Sequence, residues 1–306
     1  MTTRRFQPFF SPAVLLLSVV AAAGCQRKPA PPAATLTATI DAYLGSLPDD
    51  YGAVTPAALH EQMQSSRPFI VDVRDGDEIR SQGYIAGSVS LSIRSLMTSL
   101  DQLPGRGQPI VVSCTSGHRS AMAMAALQLL GYTNVRTLVG GVLDWKAANL
   151  PLETGTPQGA DRLTLFRRWW NWRFRSAGSA ADSSQELHAA LDRYLSNLPG
   201  SLDMVPASIL NDLLASSNPF QLDVRDVNEV ADHGAIAGAT RIPLRTLGRN
   251  LDKLPPDRHA LIVTECGNGH RAAMAMLALN VLGYTDVKTL TGGLAAWSKA
   301  GLPLGK

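Results

Sequence analysis

Short apolar runs alternate with helical stretches along most of the chain. Residues 69–71 (FIV), 110–112 (IVV) and 261–263 (LIV) are apolar runs of the kind that buried parallel strands show. Residues 120–130 and 272–282 are rich in Ala, Met and Leu, and a glycine follows each stretch, which is typical of a helix and its C-terminal cap. Strands that alternate with helices predict an α/β fold with mostly parallel central sheets.

The same pattern occurs twice. Residues 72–75 (DVRD) return as residues 223–226, and the six residues from Cys114 return, with one residue inserted on the way, at Cys266. Duplicated segments in a fixed order indicate repeated structural units. The sequence therefore predicts two homologous domains, at residues 39–155 and 186–306, joined by a linker at residues 156–185.

The N-terminal residues are typical of an export signal. Two arginines precede an apolar stretch, residues 12–23, that is too short to span a bilayer but suits a signal peptide, which we place at residues 1–24. The stretch ends in a sequence that resembles the lipobox of bacterial lipoproteins, in which Cys25 is lipidated; ordinary cleavage that leaves Cys25 as a spare thiol is the alternative. Residues 25–38 are rich in Pro and Ala and suit a flexible tether. We expect an exported, periplasmic protein that is lipid-anchored to the outer membrane.

Composition narrows the function classes. The chain has 306 residues, 45% hydrophobic and 17% charged, which is typical of a globular protein with two domains. A net charge of +3 is too small for a protein whose surface follows a nucleic-acid backbone, so no nucleic-acid partner is expected. Three cysteines form no disulfide framework, and no His/Cys cluster has zinc-ligand spacing.

Two loops carry the candidate chemistry. Residues 114–119 (CTSGHR) and 266–271 (CGNGHR) each follow a predicted strand and precede a predicted helix, where backbone N–H groups and the helix dipole converge. A thiol in that position beside an arginine is favoured as thiolate, and the loop glycine allows the backbone to wrap around the sulfur. Inert buried cysteines are the alternative. The predicted nucleophiles are Cys114 and Cys266, and the predicted substrate-binding loop residues are Thr115, Ser116, Gly117, His118, Arg119, Gly267, Asn268, Gly269, His270 and Arg271.

Both halves resemble rhodanese domains, and the whole chain resembles an exported tandem rhodanese. In each half the resemblance covers the DVRD segment, the six-residue loop and an L-x-G-G-x-x-x-W segment. The family's Gly-His-Ile-Pro-Gly turn is altered to GYIAG at residues 83–87 and to GAIAG at residues 234–238. The resemblance implies an α/β fold of two homologous rhodanese-like domains, each a mostly parallel central sheet flanked by helices.

The resemblance also implies a reaction. In this family a loop of six residues from Cys to Arg encloses a sulfur atom, whereas the phosphatase and arsenate-reductase relatives carry one residue more. The implied enzyme is a sulfurtransferase that moves sulfane sulfur from a small donor of the thiosulfate or mercaptopyruvate type to a thiophilic acceptor through cysteine persulfides, and it requires no metal or organic cofactor. A periplasmic persulfide carrier that serves an acceptor protein and a non-catalytic rhodanese-like binding module are the alternatives.

The charged residues of the loops leave the donor open. Arg119 and Arg271 are suited either to attract an anionic donor or to brace their loops. We expect His118 and His270 to point to solvent rather than to tune the thiolate. Four further residues are expected to support the sites mainly as structural ion pairs: Asp72, Arg74, Asp223 and Arg225.

Both loops keep their thiol, so we expect two working sites of unequal reactivity. Glu265 directly precedes Cys266, whereas Ser113 precedes Cys114. Because an adjacent carboxylate disfavours a second negative charge, we expect Cys114 to ionise more readily.

The linker contains an unusual basic and aromatic segment. Residues 166–175 (FRRWWNWRFR) hold three of the five Trp and four Arg, with no acidic residue. Interleaved Arg and aromatic side chains suit a membrane interface, so the membrane is a predicted partner through this segment and through lipidated Cys25. The alternative is an inter-domain helix whose aromatic side chains pack on the two domains.

Overall fold

Each half contains one five-stranded parallel sheet. The computed structural model describes residues 33–157 and 183–305. The strands of the first half are β1 (Ala53–Val54), β2 (Phe69–Asp72), β3 (Val89–Ser90), β4 (Ile110–Ser113) and β5 (Val135–Leu138), and those of the second half are β6 (Met204–Val205), β7 (Phe220–Asp223), β8 (Thr240–Arg241), β9 (Ile262–Glu265) and β10 (Val287–Leu290). Their orders are β1-β5-β4-β2-β3 and β6-β10-β9-β7-β8, with all neighbouring pairs parallel. The predicted α/β fold of two parallel-sheet units is confirmed.

Helices flank both sheets in the same order. Those of the first half are α1 (Ala33–Gly45), α2 (Pro56–Gln64), α3 (Gly76–Gln82), α4 (His118–Leu129) and α5 (Gly141–Ala147); those of the second half are α6 (Ser183–Ser196), α7 (Ala207–Ser216), α8 (Val227–His233), α9 (His270–Val281) and α10 (Gly293–Lys299). Short 3₁₀ helices occupy Ile93–Thr98, Leu100–Gln102, Leu244–Arg249 and Leu251–Lys253. No helix among these residues is both apolar enough and long enough to cross a membrane.

Several element boundaries differ from the predicted ones. Helices α4 and α9 begin two residues earlier than expected, because Gly117 and Gly269 adopt φ values of +90° and +92° and complete the preceding loop at the N-cap. Helix α1 begins at Ala33, so residues 33–38 of the predicted tether are helical. The predicted signal peptide, Cys25 and residues 166–175 lie outside the described residues.

Helices α4 and α9 pack against each other in the centre of the molecule. Residues 121–127 of α4 are all buried, and α9 is buried to the same extent. A helix that is buried on every side needs no polar face, which explains the continuous Ala, Met and Leu composition. One hydrophobic core therefore joins both halves, and residues 33–157 and 183–305 belong to a single compact unit.

The N-terminal helix of each half packs on the other half. Helix α1 lies against Leu244–Arg249, and helix α6 lies against Ile93–Thr98. Arg245 Nη2 donates to the carbonyl oxygen of Pro48 at 2.7 Å, and Arg94 Nη2 makes the equivalent bond to Pro199 at 3.1 Å. Because each N-terminal helix packs on the other half, the turn that follows it lies close to the cysteine loop of that half.

Candidate active sites

The first cysteine lies where a central strand meets a helix. Cys114 follows β4 and precedes α4, and its Sγ accepts hydrogen bonds from the backbone N–H groups of Gly117 at 3.2 Å and Ser120 at 3.4 Å. Gly117 is the N-cap of α4 and Ser120 lies in its first turn, where backbone N–H groups lack intrahelical partners. The position therefore stabilises negative charge on the sulfur or on an atom attached to it.

The second cysteine has the same backbone environment. Cys266 Sγ accepts from the N–H groups of Gly269 at 3.2 Å and Ala272 at 3.4 Å. Both thiols lie deep in their loops, with Cys114 1% exposed and Cys266 fully buried.

One hydroxyl group distinguishes the two sulfur environments. Ser120 Oγ lies 3.5 Å from Cys114 Sγ, donates to the carbonyl oxygen of Gly117 at 3.1 Å and accepts from Thr137 Oγ1 at 2.7 Å. Ala272 occupies the equivalent position in the second half and offers no hydroxyl. The first site therefore has a side-chain donor that can rotate toward an anionic sulfur. The Ser/Ala difference between the aligned loops was visible in the sequence, but the prediction did not use it.

The L-x-G-G segment packs directly against the backbone of each cysteine loop. Val142 N donates to the carbonyl oxygen of Cys114 at 2.8 Å. Gly141 and Gly293 have φ values of +58° and +60°, and a methyl group on either would overlap the carbonyl oxygen of the adjacent cysteine. Glycine is needed here both for the backbone conformation and for the close approach.

In the first half, the loop arginine braces its loop through a carboxylate of α3. Arg119 forms a two-pronged ion pair with Glu78, with both N–O distances 2.5 Å, and also donates to Thr115 Oγ1 at 2.9 Å. The hydrogen bonds from Arg119 lower the pKa of Glu78 to about 2. Glu78 also accepts from the backbone N–H of Asp75, in a capping box at the start of α3. The prediction omitted Glu78 from the site, although the D-x-x-E spacing of a capping box was readable.

Arg271 is held in the same way and has an additional aromatic partner from the first half. It pairs with Glu229 at 2.5 Å, and its guanidinium carbon lies 4.9 Å from the ring centre of Tyr51. The Tyr51 hydroxyl donates to Asp226 Oδ2 at 2.7 Å. Of the two sequence-based interpretations of the arginines, bracing is the one that these contacts support.

The loop histidines are buried, and the expectation that they point to solvent is wrong. His118 is 6% exposed and His270 is 7% exposed, because a turn from the other half covers each ring. His270 Nε2 lies 3.0 Å from the carbonyl oxygen of Tyr51, and His118 makes the corresponding backbone contact with Leu202. Burial lowers the pKa of both histidines to about 4, so at pH 7 neither brings a positive charge to the thiol.

A cleft of about 420 Å³ opens above the second loop and is formed by both halves. Its wall from the first half includes Asp49, Asp50 and Tyr51, and Asn268 and Arg271 of the loop face them. Any molecule that approaches the second loop through this cleft therefore contacts residues that lie more than two hundred positions away in the chain.

Each half matches the rhodanese-like domain family model, at residues 55–148 and 206–300. The chain belongs to the rhodanese-like family.

Relatives of these rhodanese-like domains include proteins named as sulfurtransferases. The thiosulfate sulfurtransferase GlpE of Actinobacillus succinogenes is 32% identical over 101 residues, which cover 33% of this chain and 89% of that protein. A sulfurtransferase of Allochromatium vinosum is 31% identical over 97 residues, 32% of this chain and 88% of that protein. Among solved structures, a thiosulfate sulfurtransferase from Pseudomonas aeruginosa is 17% identical over 88% of this chain and 70% of that chain, with a TM-score of 0.35.

The four supporting residues form two buried ion pairs at the strand ends. Arg74 Nη2 lies 2.6 Å from Asp72 Oδ2 and 2.7 Å from the carbonyl oxygen of Gly83, and both charged side chains are fully buried. Asp223 and Arg225 repeat the pair at 2.6 Å in the second rhodanese-like domain. Each pair ties its central strand to the turn after α3 or α8 and does not touch the cysteine sulfur.

Glu265 is a buried carboxyl group next to Cys266. The residue is fully buried, and neither carboxyl oxygen accepts a hydrogen bond from any residue that the structure describes. Burial, with a smaller effect of the nearby Asp223 charge, raises the pKa of Glu265 to about 8. At neutral pH the Glu265 carboxyl group is therefore mostly protonated. Contrary to the expectation, it carries little negative charge to oppose a thiolate on Cys266.

No group of three His, Cys, Asp or Glu residues within residues 33–157 and 183–305 is arranged to hold a metal ion.

Proposed function

We propose that this rhodanese-like protein is a sulfurtransferase that carries sulfane sulfur as a persulfide on Cys114 and Cys266. The observation that carries the proposal is the pair of backbone N–H groups directed at each Sγ at 3.2 and 3.4 Å. Oriented N–H donors stabilise the negative charge that a thiolate, or the terminal sulfur of a persulfide, places in the loop.

The reaction proceeds in two half-reactions. The cysteine thiolate attacks the terminal sulfur of the donor, a new S–S bond forms, and the bond from that sulfur to the rest of the donor breaks. The leaving group, sulfite from thiosulfate or the enolate of pyruvate from mercaptopyruvate, departs with the electron pair. A nucleophilic acceptor, such as cyanide or a thiol, then attacks the terminal sulfur of the persulfide and regenerates the cysteine thiolate.

The surrounding residues hold the loop rather than react. Arg119 and Arg271 are committed to Glu78 and Glu229, and the neutral histidines fix the loop to the other half. The backbone N–H donors of both loops stabilise the developing charge without any side-chain movement.

The same residues would serve a persulfide carrier that delivers sulfur to an acceptor protein. That alternative differs only in the second half-reaction, in which the acceptor is a protein thiol instead of a small molecule. The non-catalytic alternative is weaker, since both loops keep the thiol and both of its N–H donors.

A cyanide-acceptor assay with thiosulfate and mercaptopyruvate tests the proposal. We expect thiocyanate formation by the full chain, partial activity in Cys114→Ser and Cys266→Ser, and none in the double variant. Cys25→Ser is the matched control and should keep full activity. Activity in the double variant, or none in the full chain with either donor, would contradict the proposal; persulfide formation without turnover to cyanide would favour the carrier.

We further propose that the protein is exported and anchored by lipid at Cys25 in the periplasm. Metabolic labelling with palmitate should mark the wild type and leave Cys25→Ser unlabelled. Label in both, or in neither, would contradict lipidation at this residue.

The basic and aromatic segment at residues 166–175 is proposed to contact the membrane. Co-sedimentation of the Cys25→Ser protein with anionic vesicles should fall when these residues are deleted, since the Arg and Trp side chains then no longer meet the headgroups. Unchanged co-sedimentation would favour the inter-domain helix.

A further inference from the structure

The turn at residues 49–52 of the first half is fixed against the second cysteine loop. The backbone carbonyl of Tyr51 accepts from His270 and its hydroxyl donates to Asp226. The guanidinium carbons of Arg271 and Arg245 lie 4.9 Å and 4.6 Å from the centre of its ring. Tyr51 has a φ of +52°, a conformation that residues other than glycine rarely adopt. Contacts from both halves hold the residue in this conformation, so the turn is a built part of the second site.

This turn places two carboxylates in the cleft that borders the second cysteine loop. The charged residues that line the cleft are Asp49, Asp50, Asp226, Glu229 and Arg271. The lining therefore has an excess of negative charge.

Two arginines beside the cleft offset the excess only in part. Arg136 pairs with Asp50 at 2.5 Å, and Arg245 approaches Asp49 at 3.0 Å. The Asp49 side chain is fully exposed, so its pairing with Arg245 is weak in water.

The corresponding turn at the first site carries no charge at the equivalent positions. Gly200, Ser201 and Leu202 stand where the first half has Asp49, Asp50 and Tyr51. Leu202 has the same backbone conformation, with a φ of +56°, and its backbone contacts His118. The next residue, Asp203, directs its carboxylate to the hydroxyl of Tyr194 at 3.5 Å.

The other carboxylates beside the two cysteine loops correspond, although Asp75 pairs with Arg94 at 2.8 Å whereas Asp226 accepts from the Tyr51 hydroxyl. Glu78 and Glu229 pair with the loop arginines, and Asp75 corresponds to Asp226 at the start of the following helix. The two sites thus share the same sulfur-binding loop geometry and differ in the charge of the wall that the other half supplies.

We propose that Asp49 and Asp50 set the donor selectivity of the Cys266 site by disfavouring multiply charged anions. On this proposal, which rests on the proposed sulfurtransferase function, Cys114 takes sulfur from dianionic donors such as thiosulfate. Cys266 is matched to donors that carry one negative charge or none. Coulomb repulsion scales with the product of the charges, so the wall opposes a dianion twice as strongly as a monoanion at the same position.

Two donors that differ in charge test the proposal. Thiosulfate is a dianion, and sulfite leaves when its S–S bond breaks. Methanethiosulfonate is a monoanion, and methanesulfinate leaves when its S–S bond breaks. The measured quantity is kcat/KM for methanethiosulfonate divided by kcat/KM for thiosulfate, with cyanide as the acceptor. Cys114→Ser keeps only the Cys266 site, and Cys266→Ser keeps only the Cys114 site. We expect this ratio to be at least about fivefold higher at the Cys266 site at low ionic strength, and to converge toward that of the Cys114 site in high salt.

Exchange of the wall charges provides matched variants. Asp49→Asn with Asp50→Asn should remove the difference at the Cys266 site, and Asn at position 50 keeps an oxygen for the hydrogen bond that Asp50 accepts from Gly52 N at 2.9 Å. Gly200→Asp with Ser201→Asp should create the same discrimination at the Cys114 site, where a side chain at position 200 meets open space. Equal ratios at the two sites, or a ratio that neither exchange alters, would overturn the proposal.

Alkylation measures the same charge effect without sulfur transfer. The rate with anionic iodoacetate relative to that with neutral iodoacetamide should be lower for Cys266 than for Cys114, and the aspartate-to-asparagine changes should raise it. If no donor transfers sulfur but this alkylation difference is found, the sulfurtransferase function fails while the charge selectivity stands. Equal alkylation ratios would overturn the selectivity whatever the activity.

Discussion

Replacing Glu265 by Gln should stabilise the protein at alkaline pH and leave its stability nearly unchanged near pH 5. Glu265 is fully buried at the end of β9, and its parallel neighbour on β7 is the carboxylate Asp223. Gln has the shape of the protonated carboxyl group and cannot ionise. The substitution therefore isolates the energetic effect of ionisation at this position.

The sign and size of the effect follow from the proton affinities. In the unfolded chain Glu265 loses its proton near its ordinary pKa of 4.5, whereas in the folded protein the pKa is raised to about 8. Between these pH values unfolding releases a proton, so the free energy of unfolding falls as pH rises and levels off above about pH 8. Since a tenfold difference in proton affinity is about 1.4 kcal/mol, the loss between pH 5 and pH 8 is on the order of 4 kcal/mol.

Urea denaturation from pH 5 to pH 8.5, followed by far-ultraviolet circular dichroism, measures this difference. The free energy of unfolding of Glu265→Gln minus that of the wild type should grow from near zero at pH 5 to several kcal/mol at pH 8. Glu61→Gln, at an exposed position on α2, removes the same charge and should give a small difference that does not depend on pH. Parallel curves for Glu265→Gln and the wild type would refute the reasoning.

Four further substitutions have defined outcomes. Ser120→Ala should slow iodoacetamide alkylation of the first-loop thiol at pH 7, and Ala272→Ser should speed that of the second-loop thiol, because a hydroxyl group at this position can rotate to donate to an anionic sulfur; changes in the opposite directions would contradict this role. Glu78→Gln should cost about 1 to 2 kcal/mol in denaturation at pH 7, because it removes the carboxylate of a charge-assisted pair that is partly exposed. That cost should shrink as pH falls from 4.5 toward 2, since the pKa of Glu78 is lowered to about 2 in the folded protein; an equal cost at pH 7 and pH 3 would contradict the pairing. Gly293→Ala should abolish sulfur transfer at the second site alone, because its methyl group overlaps the loop backbone; full transfer by a protein that keeps only that site would contradict the close approach.

The fold and the position of the cysteine loops were predictable because the signals are local. The apolar runs of β2 and β4 and the Ala/Met/Leu stretch of α4 have the lengths and compositions of buried elements. The end of a central parallel strand also determines where the loop at Cys114 lies. Repetition of each signal in the second half removed the ambiguity of any single short run.

The surroundings of the loops could not be predicted because they depend on contacts between the halves. Nothing near His118 or His270 in the sequence indicates that a turn from the other half covers the ring. The protonated state of Glu265 likewise depends on complete burial beside Asp223, which no local pattern reveals. Tyr51 was missed for the same reason, since its partners are more than one hundred and seventy residues away.

Mass spectrometry of the donor-treated protein tests the central claim most directly. After treatment with excess thiosulfate or mercaptopyruvate and removal of the donor, the peptides that contain Cys114 and Cys266 should each gain the mass of one sulfur atom, while the peptide that contains Cys25 should not. Cyanide should remove the added mass. If neither loop peptide ever gains a sulfur atom under these conditions, the two loops do not hold a persulfide and the account is wrong.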